Sequence, residues 1–497
     1  MCCSGLHLRA EHAAPRARSR SKYSGHELIS TLRFSPAEPP SGALLLLKVV
    51  YVSFVLVSVW TWNDFDVIRL KAINAQWFDE TRGWTPPVGT EGLSRHFVTW
   101  DAEHYLCLSQ AGYAAGVKSC AFYPLWPLLV RWSAPVFGGS HLIAGLVLSN
   151  LFSLAAWVIF YQRVRRRWGK SVAGWALGFL IVFPGSLFFQ FLYSESLFFL
   201  LVMLLWWGLE EKRWGLAWGA ALLLPVTRAV GVFAVLPIGW EALQVAPPGW
   251  FVGLEAWGRS RKLGARSQKS EVGSQELEVR RQEGEGKLGS TESRPTGMAG
   301  GSAGASPYRA WTLLAAPLIG WGCYLTLMWH WTGNPFEGFA AQKHWGVHSV
   351  WNLVNVPKFI AGFFTPTQWH EFTGSLLDRC VFVVLLYTLP VLWRLDKSLL
   401  VWTYWLGILP AMSGTFTSYT RFASCAFPVF IALAAFFAAE RGGRKTELTP
   451  ATETAPPAPL VARPWSLVLG LKWALLAVFA ALHIVLVWRF VNFRWAG

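Results

Sequence analysis

Residues 141–161 read HLIAGLVLSNLFSLAAWVIFY, without a single Asp, Glu, Lys or Arg, and Arg163, Arg165, Arg166, Arg167 and Lys170 follow at once. About 20 apolar residues carry a helix across the hydrocarbon core of a bilayer. This stretch therefore predicts one crossing, and its basic flank marks the side on which the crossing ends. Working outward, runs of similar character occupy 42–60, 172–191, 194–209, 311–329, 377–393, 398–414, 423–439 and 465–488. The stretch 214–243 is apolar but broken by Pro225, Arg228 and Gly231. A discontinuous pair of half-helices fits it, since irregular backbone at membrane depth survives only beside protein or a wet cavity. The fold class expected is an all-α polytopic membrane protein with about ten or eleven crossings.

Composition agrees. Of 497 residues, 53% are hydrophobic and only 14% charged, against about 25% charged in a typical soluble domain. That excludes a disordered chain and most soluble enzymes. The seven cysteines make no secreted-type framework and have no zinc spacing. Cys107 and Cys120 fall in one loop, where a disulfide and two unrelated thiols are equally open readings. The net charge of +16 first suggests nucleic acid, but its location speaks otherwise. Lys and Arg gather at 163–170, at Lys212 and Arg213, ten times over 249–310, at Arg394 and Lys397, and at 441–463. The intervening loops 61–120 and 330–376 hold five Lys/Arg against seven Asp/Glu and two against two. The positive charge therefore reads as cytoplasmic topology, with the first helix running outward and no nucleic-acid partner.

This divides the chain into a basic, disordered cytoplasmic tail over 1–41, without the h-region of a signal peptide, and an N-terminal membrane module over 42–248 with its outer loop at 61–133. A polar cytoplasmic loop over 249–310 and C-terminal helices over 311–497, with an outer loop at 330–376, complete it. The core of the polar loop, 258–308, is rich in Gly, Ser, Glu, Arg and Lys and almost free of large apolar residues.

Chemistry is expected on the outer side. Trp100-Asp101-Ala102-Glu103-His104-Tyr105 packs three titratable groups into four residues, and on a helix Asp101, His104 and Tyr105 share a face. Asp101 is a fair general base, with His104 to tune or orient it, and the aromatic neighbours suit sugar stacking. A solvated loop turn is the plain alternative. Asn63-Asp64-Phe65-Asp66 offers a DxD, weak by itself. Ala121-Phe122-Tyr123-Pro124-Leu125-Trp126-Pro127 reads as a short amphipathic re-entry or an interfacial aromatic belt. Glu195 lies in a tight outer turn after Tyr193, and Arg228 sits at the helix break; intramembrane ionisable groups are functional candidates, unless the two simply pair. An arginine there can hold a phosphate. Gln342 lies in the second outer loop, and Arg421 is a further phosphate or headgroup contact, with interfacial snorkelling as its plain reading.

Trp100–Tyr105 with Ala111-Gly112-Tyr113, Ala121–Pro124 with Pro127, Tyr193-Ser194-Glu195-Ser196-Leu197-Phe198 and Thr227-Arg228-Ala229-Val230-Gly231 together resemble, over about 42–245, the PIG-V family. Its members add the second mannose to the glycosylphosphatidylinositol (GPI) precursor and have bacterial relatives. Gly333-Asn334-Pro335 through Gln342 and Trp345, and Arg421 through Pro428, look more like bacterial polyprenyl-linked glycosyltransferases of the GT-C class. The resemblance implies a GT-C bundle with catalysis in the first outer loop. It implies an inverting transfer from a polyprenyl-phosphate mannose such as dolichyl-phosphate mannose, with Asp101 as base. His104 would be catalytic beside it; Trp100, Glu103, Tyr105, Tyr123, Tyr193, Glu195, Arg228, Gln342 and Arg421 would bind substrate. No metal or other cofactor is then required. Partners implied are the lipid-linked donor, a lipid-linked glycan acceptor, membrane lipid and, in some eukaryotes, a small accessory membrane subunit. The insertion at 258–308 and the absence of any Asn-x-Ser/Thr sequon turn the reading toward a bacterial cytoplasmic membrane and another acceptor, rather than the endoplasmic reticulum. A transporter or flippase of lipid-linked sugar is the rival class. It predicts matching helix breaks in two halves, whereas one break is visible and the acidic groups cluster in one loop. A non-catalytic membrane subunit, in which that loop is dispensable, is the third.

Overall fold

A computed structural model describes residues 41–87, 92–245, 308–345, 355–372, 374–412, 416–438 and 465–497. But for a few edge residues, the tail, the polar loop and 441–464 discussed above lie outside them. Most of the described residues are helical, and among them the one β-type pairing is an isolated bridge between Gln368 and Ser375.

The chain enters on α1 (Ser41–Thr61) and crosses the first outer loop on three short helices, α2 (Val67–Trp77), α3 (Asp101–Ala111) and α4 (Leu125–Ser133). It then runs through α5 (His141–Val182), α6 (Glu195–Glu210), α7 (Trp214–Thr227) and α8 (Val235–Val245). After the undescribed loop come α9 (Ala315–Thr332), α10 (Leu376–Leu395), α11 (Lys397–Thr403), the short α12 (Tyr419–Ala423), α13 (Phe427–Ala438) and α14 (Trp465–Val491).

Polar contacts sort the helix ends into two levels. At one level, Arg163 meets Glu211 at 2.5 Å, Arg167 pairs with Glu210 at 3.2 Å and with Asp396, and Lys212 pairs with Glu241. At the other, His141 contacts Ser109 at 3.0 Å, the Asp64 amide donates to Asn492 at 2.7 Å, and Arg421 reaches Asp101 and Glu195. α6 joins the two, and its 16 residues cover roughly 24 Å at 1.5 Å each. Basic clusters at 163–170, 212–213 and 394–397 thus share one end, and the acidic outer loop lies at the other, as the alternation of loop charge requires.

α5 holds two traverses. Gly169 has φ 86° and ψ 170°, outside the helical region, and turns the chain back, so the stretches 141–161 and 172–191 separate as expected. Arg228, at φ −155° and ψ 148°, breaks the 214–243 stretch between α7 and a 3-10 turn leading into α8. The described chain thus runs back and forth between the two ends. Among the described residues five helices are long and apolar enough to cross a membrane: Gly42–Thr61, His141–Val182, Ala310–Thr332, Leu376–Leu395 and Gly470–Val491. The remaining traverses are shorter than a span because they lie inside the bundle: α6 buries Leu197, Phe198, Phe199, Leu201, Val202, Met203 and Leu205 among other helices, so the bilayer does not set its length.

Contacts decide between readings the sequence left open at two places. Cys107 and Cys120 are free, buried thiols; each is aimed at a different carbonyl, Thr85 and Ala114, so no disulfide joins them. The DxD aspartates are already engaged: Asp66 caps α2 by accepting from the Arg69 amide at 2.9 Å, and Asp64 pairs with Arg494.

Topology is checked by single cysteines at two exposed positions, Arg166→Cys and Asp64→Cys, in a cysteine-free background. An impermeant thiol reagent is expected to label them from opposite faces of the membrane. Labelling of both from one face contradicts the two-level arrangement.

Candidate active site

Glu195 is the first residue of α6 and has no solvent exposure. Its Oε1 lies 2.6 Å from Arg228 Nη1 and in ion-pair contact with Arg421 Nε. Arg421 Nη1 in turn donates to Asp101 Oδ2. The result is a chain of four charges, Asp101–Arg421–Glu195–Arg228, drawn from α3, α12, α6 and the break after α7. Two carboxylates and two guanidiniums cancel formally. Glu195 is sealed, whereas the side chains of Asp101 and Arg228 keep 16% and 12% of their surface open, so they form the accessible edge of the cluster.

Local sequence explains the placement. Asp101 opens α3, where its charge suits the helix dipole. Arg421 sits on α12, whose turn packs against the 3-10 segment Pro184–Phe189. Gly185 permits this: a Cβ there would run into the Thr420 carbonyl. Gly231 does the same for Arg228, since a Cβ would strike the Leu224 carbonyl and push the broken segment away. Aromatic faces line the guanidiniums: Arg421 is 5.1 Å from the Tyr193 ring and Arg228 4.8 Å from that of Phe422.

Of the residues singled out in the sequence, Asp101, Tyr105, Tyr193, Glu195, Arg228 and Arg421 come together here. Tyr105 Oη is 2.8 Å from Ser194 Oγ, and Tyr193 Oη donates to the Thr99 carbonyl at 3.0 Å. The pairing of Glu195 with Arg228 is present, and Arg421 joins it as a third member rather than snorkelling to the interface.

His104 is placed elsewhere. Its Nδ1 is 2.7 Å from Ser119 Oγ, and its ring lies in a box of Trp77, Phe78, Phe122 and Trp345, with centroids 4.6–5.4 Å away. On α3 it turns away from Asp101 and makes no contact with it, so the expected tuning pair does not form. Burial, with a smaller contribution from Lys118, lowers its pKa to about 3 and keeps the ring neutral. Tyr123 stacks on Tyr324 at 4.2 Å and Gln342 donates to the Ala121 carbonyl at 2.9 Å. Gln342 docks the second outer loop onto the first, and Tyr123 packs the first against α9; neither contact involves Asp101. The Trp100 ring is committed to Phe493, parallel to it at 5.0 Å, and is not free to stack on a sugar. Glu103 is fully buried with neither oxygen hydrogen-bonded; burial raises its pKa well above the carboxylate range, so it holds its proton.

Among the buried ionisable groups that escaped the sequence reading are Asp378 and Lys48. Asp378, on α10, accepts from the Thr420 amide at 2.6 Å and so fixes the turn that carries Arg421. Lys48, within α1, donates to Ser153 at 2.6 Å and Gln190 at 2.5 Å. Their signal was an ionisable residue inside an apolar run. Among the described residues no group of three His, Cys, Asp or Glu side chains is placed to hold a metal.

Residues 46–263 match the family model described as Mannosyltransferase (PIG-V). The match covers a little under half of the chain. Asp101, Glu195 and Arg228 fall inside the matched residues and Arg421 outside them, so the cluster ties the matched stretch to the C-terminal helices. A comparison with curated proteins returns no match. Among solved structures, the chain is similar to the archaeal oligosaccharyltransferase AglB from Archaeoglobus fulgidus, solved in complex with an inhibitory peptide and a dolichol-phosphate. Identity is 12% and the TM-score 0.34, over 92% of this chain and 56% of that one. The chain thus spans little more than half the length of that protein.

The neutral His104 has a measurable consequence. Its folded pKa lies below the unfolded value near 6.5, so the unfolded state binds the extra proton between them. The stability contributed by the neutral ring is complete above about pH 6.5 and is lost as pH falls toward 3. From pH 6.5 to 5 the loss is up to about 2 kcal/mol. Melting temperatures of wild type and His104→Phe, followed from pH 7 to 5, are expected to converge on acidification, the wild type falling faster. Parallel curves would place a titrating imidazole outside the aromatic box.

Proposed function

We propose that the protein is an inverting membrane mannosyltransferase that moves mannose from a polyprenyl-phosphate donor, such as dolichyl-phosphate mannose, to a lipid-linked glycan such as a GPI precursor. The observation that carries this is the Asp101–Arg421–Glu195–Arg228 chain, in which one accessible carboxylate faces guanidiniums held from behind by a sealed one.

Asp101 accepts the proton of an acceptor hydroxyl as that oxygen attacks the anomeric carbon of mannose. The bond from that carbon to the phosphate oxygen breaks on the opposite face, and its electron pair leaves on the polyprenyl phosphate. Arg421 and Arg228 meet the developing anion, a preorganised cationic site in a setting poor in water. In the free protein Arg421 is shared between Asp101 and Glu195. An arriving phosphate competes with Asp101 for that guanidinium, which frees the carboxylate to act as base. Glu195 keeps both arginines in place throughout. Positive charge on the leaving-group side comes from arginine, so no divalent cation is called for. Tyr105 and Tyr193 border the same space. The acceptor is the open variable: a relative in a bacterial cytoplasmic membrane would glycosylate another lipid or surface group with the same four charges, and an enzyme of the endoplasmic reticulum would act on the GPI precursor.

Membranes containing the protein, given radiolabelled polyprenyl-phosphate mannose and a panel of acceptors, test this. Asp101→Asn is expected to lower transfer by about 10²–10⁴-fold, the usual worth of a general base, with expression retained. Arg421→Lys is expected to lower it by about 10²-fold or more. Turnover at the wild-type rate in Asp101→Asn would remove the carboxylate from the mechanism.

A further inference from the structure

Trp100, the residue before Asp101, has φ 58° and ψ −127°, a backbone conformation that disfavours any side chain and a bulky one most. It offers no side-chain cap to α3. Its conformation is held instead by the turn that ends α14. The indole Nε1 donates to the Arg494 carbonyl at 3.1 Å, the ring stacks on Phe493 at 4° and 5.0 Å, and Trp495 meets it edge-on at 5.0 Å.

Phe493 is itself at φ 58°. The Arg494 amide donates to the Arg489 carbonyl at 2.8 Å and the Phe493 amide to that of Phe490 at 3.1 Å. This is a helix-ending turn whose left-handed position ordinarily takes glycine. Here a fully buried phenylalanine occupies it. Two strained residues, 393 positions apart by number, therefore hold each other through their rings. Further bonds tie the same turn to the first outer loop: His96 Nδ1 to the Val491 carbonyl at 2.6 Å, and Asn492 Oδ1 to the Asp64 amide at 2.7 Å. The direction in which α3 leaves Trp100 sets where the Asp101 carboxylate points.

We propose that Phe493 is a positioning residue. Its ring locks the strained backbone of Trp100 and so aims Asp101 at Arg421, which makes the last helix part of the catalytic apparatus. The proposal rests on Asp101 acting as the base. No mannosyl donor or acceptor atom is expected to touch Phe493.

The test uses full-length protein in detergent, with turnover of polyprenyl-phosphate mannose counted per folded molecule in the monodisperse size-exclusion peak. Phe493→Gly removes the ring while glycine keeps the left-handed turn without strain. It is expected to lower kcat at least tenfold with donor KM within twofold, and Phe493→Trp to restore most of kcat. In a Trp100→Gly background the Phe493→Gly change should cost less than a further twofold, because the ring then has nothing to lock. If the glycine variant fails to fold, Phe493→Leu, which keeps apolar volume without a flat ring, is expected to show the same kcat loss at unchanged KM. Wild-type kcat in Phe493→Gly or Phe493→Leu, alongside an inactive Asp101→Asn, overturns the latch alone. Losses that multiply in the double variant overturn it as well. Wild-type turnover in Asp101→Asn overturns the base assignment and the latch with it.

Discussion

A carboxylate with no exposure must be paired, and Glu195 is such a group. Removing one partner from a buried ion pair costs about 3–5 kcal/mol, because a charge is left without solvent or counterion. Glu195 has two partners, Arg228 and Arg421, and they arrive from opposite halves of the chain. Much of what lies nearby serves this meeting. The helix break after α7 presents Arg228, the turn fixed by Asp378 presents Arg421, and glycines at 185 and 231 let backbone approach where a methyl group would intrude. The arrangement also explains why Arg421 can hold Asp101 without being surrendered to it. Its guanidinium is anchored from behind, so the Asp101 side is the exchangeable one.

The same logic separates the two outer loops by task. The first carries Asp101 to the charge cluster on one face of α3 and sends His104 into an aromatic box on another. The second, through Gln342, packs against that first loop. Aromatic residues, abundant in the sequence, are used here as packing for a membrane-surface loop and as faces against arginine. Trp100 itself is spent on the turn that ends α14.

Most of the architecture was legible because lipid imposes simple lengths and charge rules. Residues 141–161 with their basic flank gave both a crossing and an orientation, and Arg228 marked the break in 214–243. Helix lengths inside the bundle were less legible: α6 and α7 are shorter than a span because protein, not lipid, surrounds them. Asp101, Glu195, Arg228 and Arg421 were each visible as an ionisable residue out of place, but their mutual pairing was not, since it joins residues 320 apart in number. His104 shows the limit of face-sharing on a helix. Spacing placed it beside Asp101, yet the ring followed the aromatic side of the loop, because a neutral imidazole packs well there. Phe493 gave no signal, being one aromatic among many in an apolar segment.

The central claim is that the phosphate of a lipid-linked sugar displaces Asp101 from Arg421 while Glu195 retains both arginines. Its most direct test is a cryo-EM structure of the protein with a non-transferable polyprenyl phosphonate analogue of the mannose donor. The account predicts the phosphonate in ion-pair contact with Arg421 and Arg228, and the Asp101 carboxylate released and facing the anomeric carbon. A phosphonate bound elsewhere, with the Asp101–Arg421–Glu195–Arg228 chain intact, would contradict it.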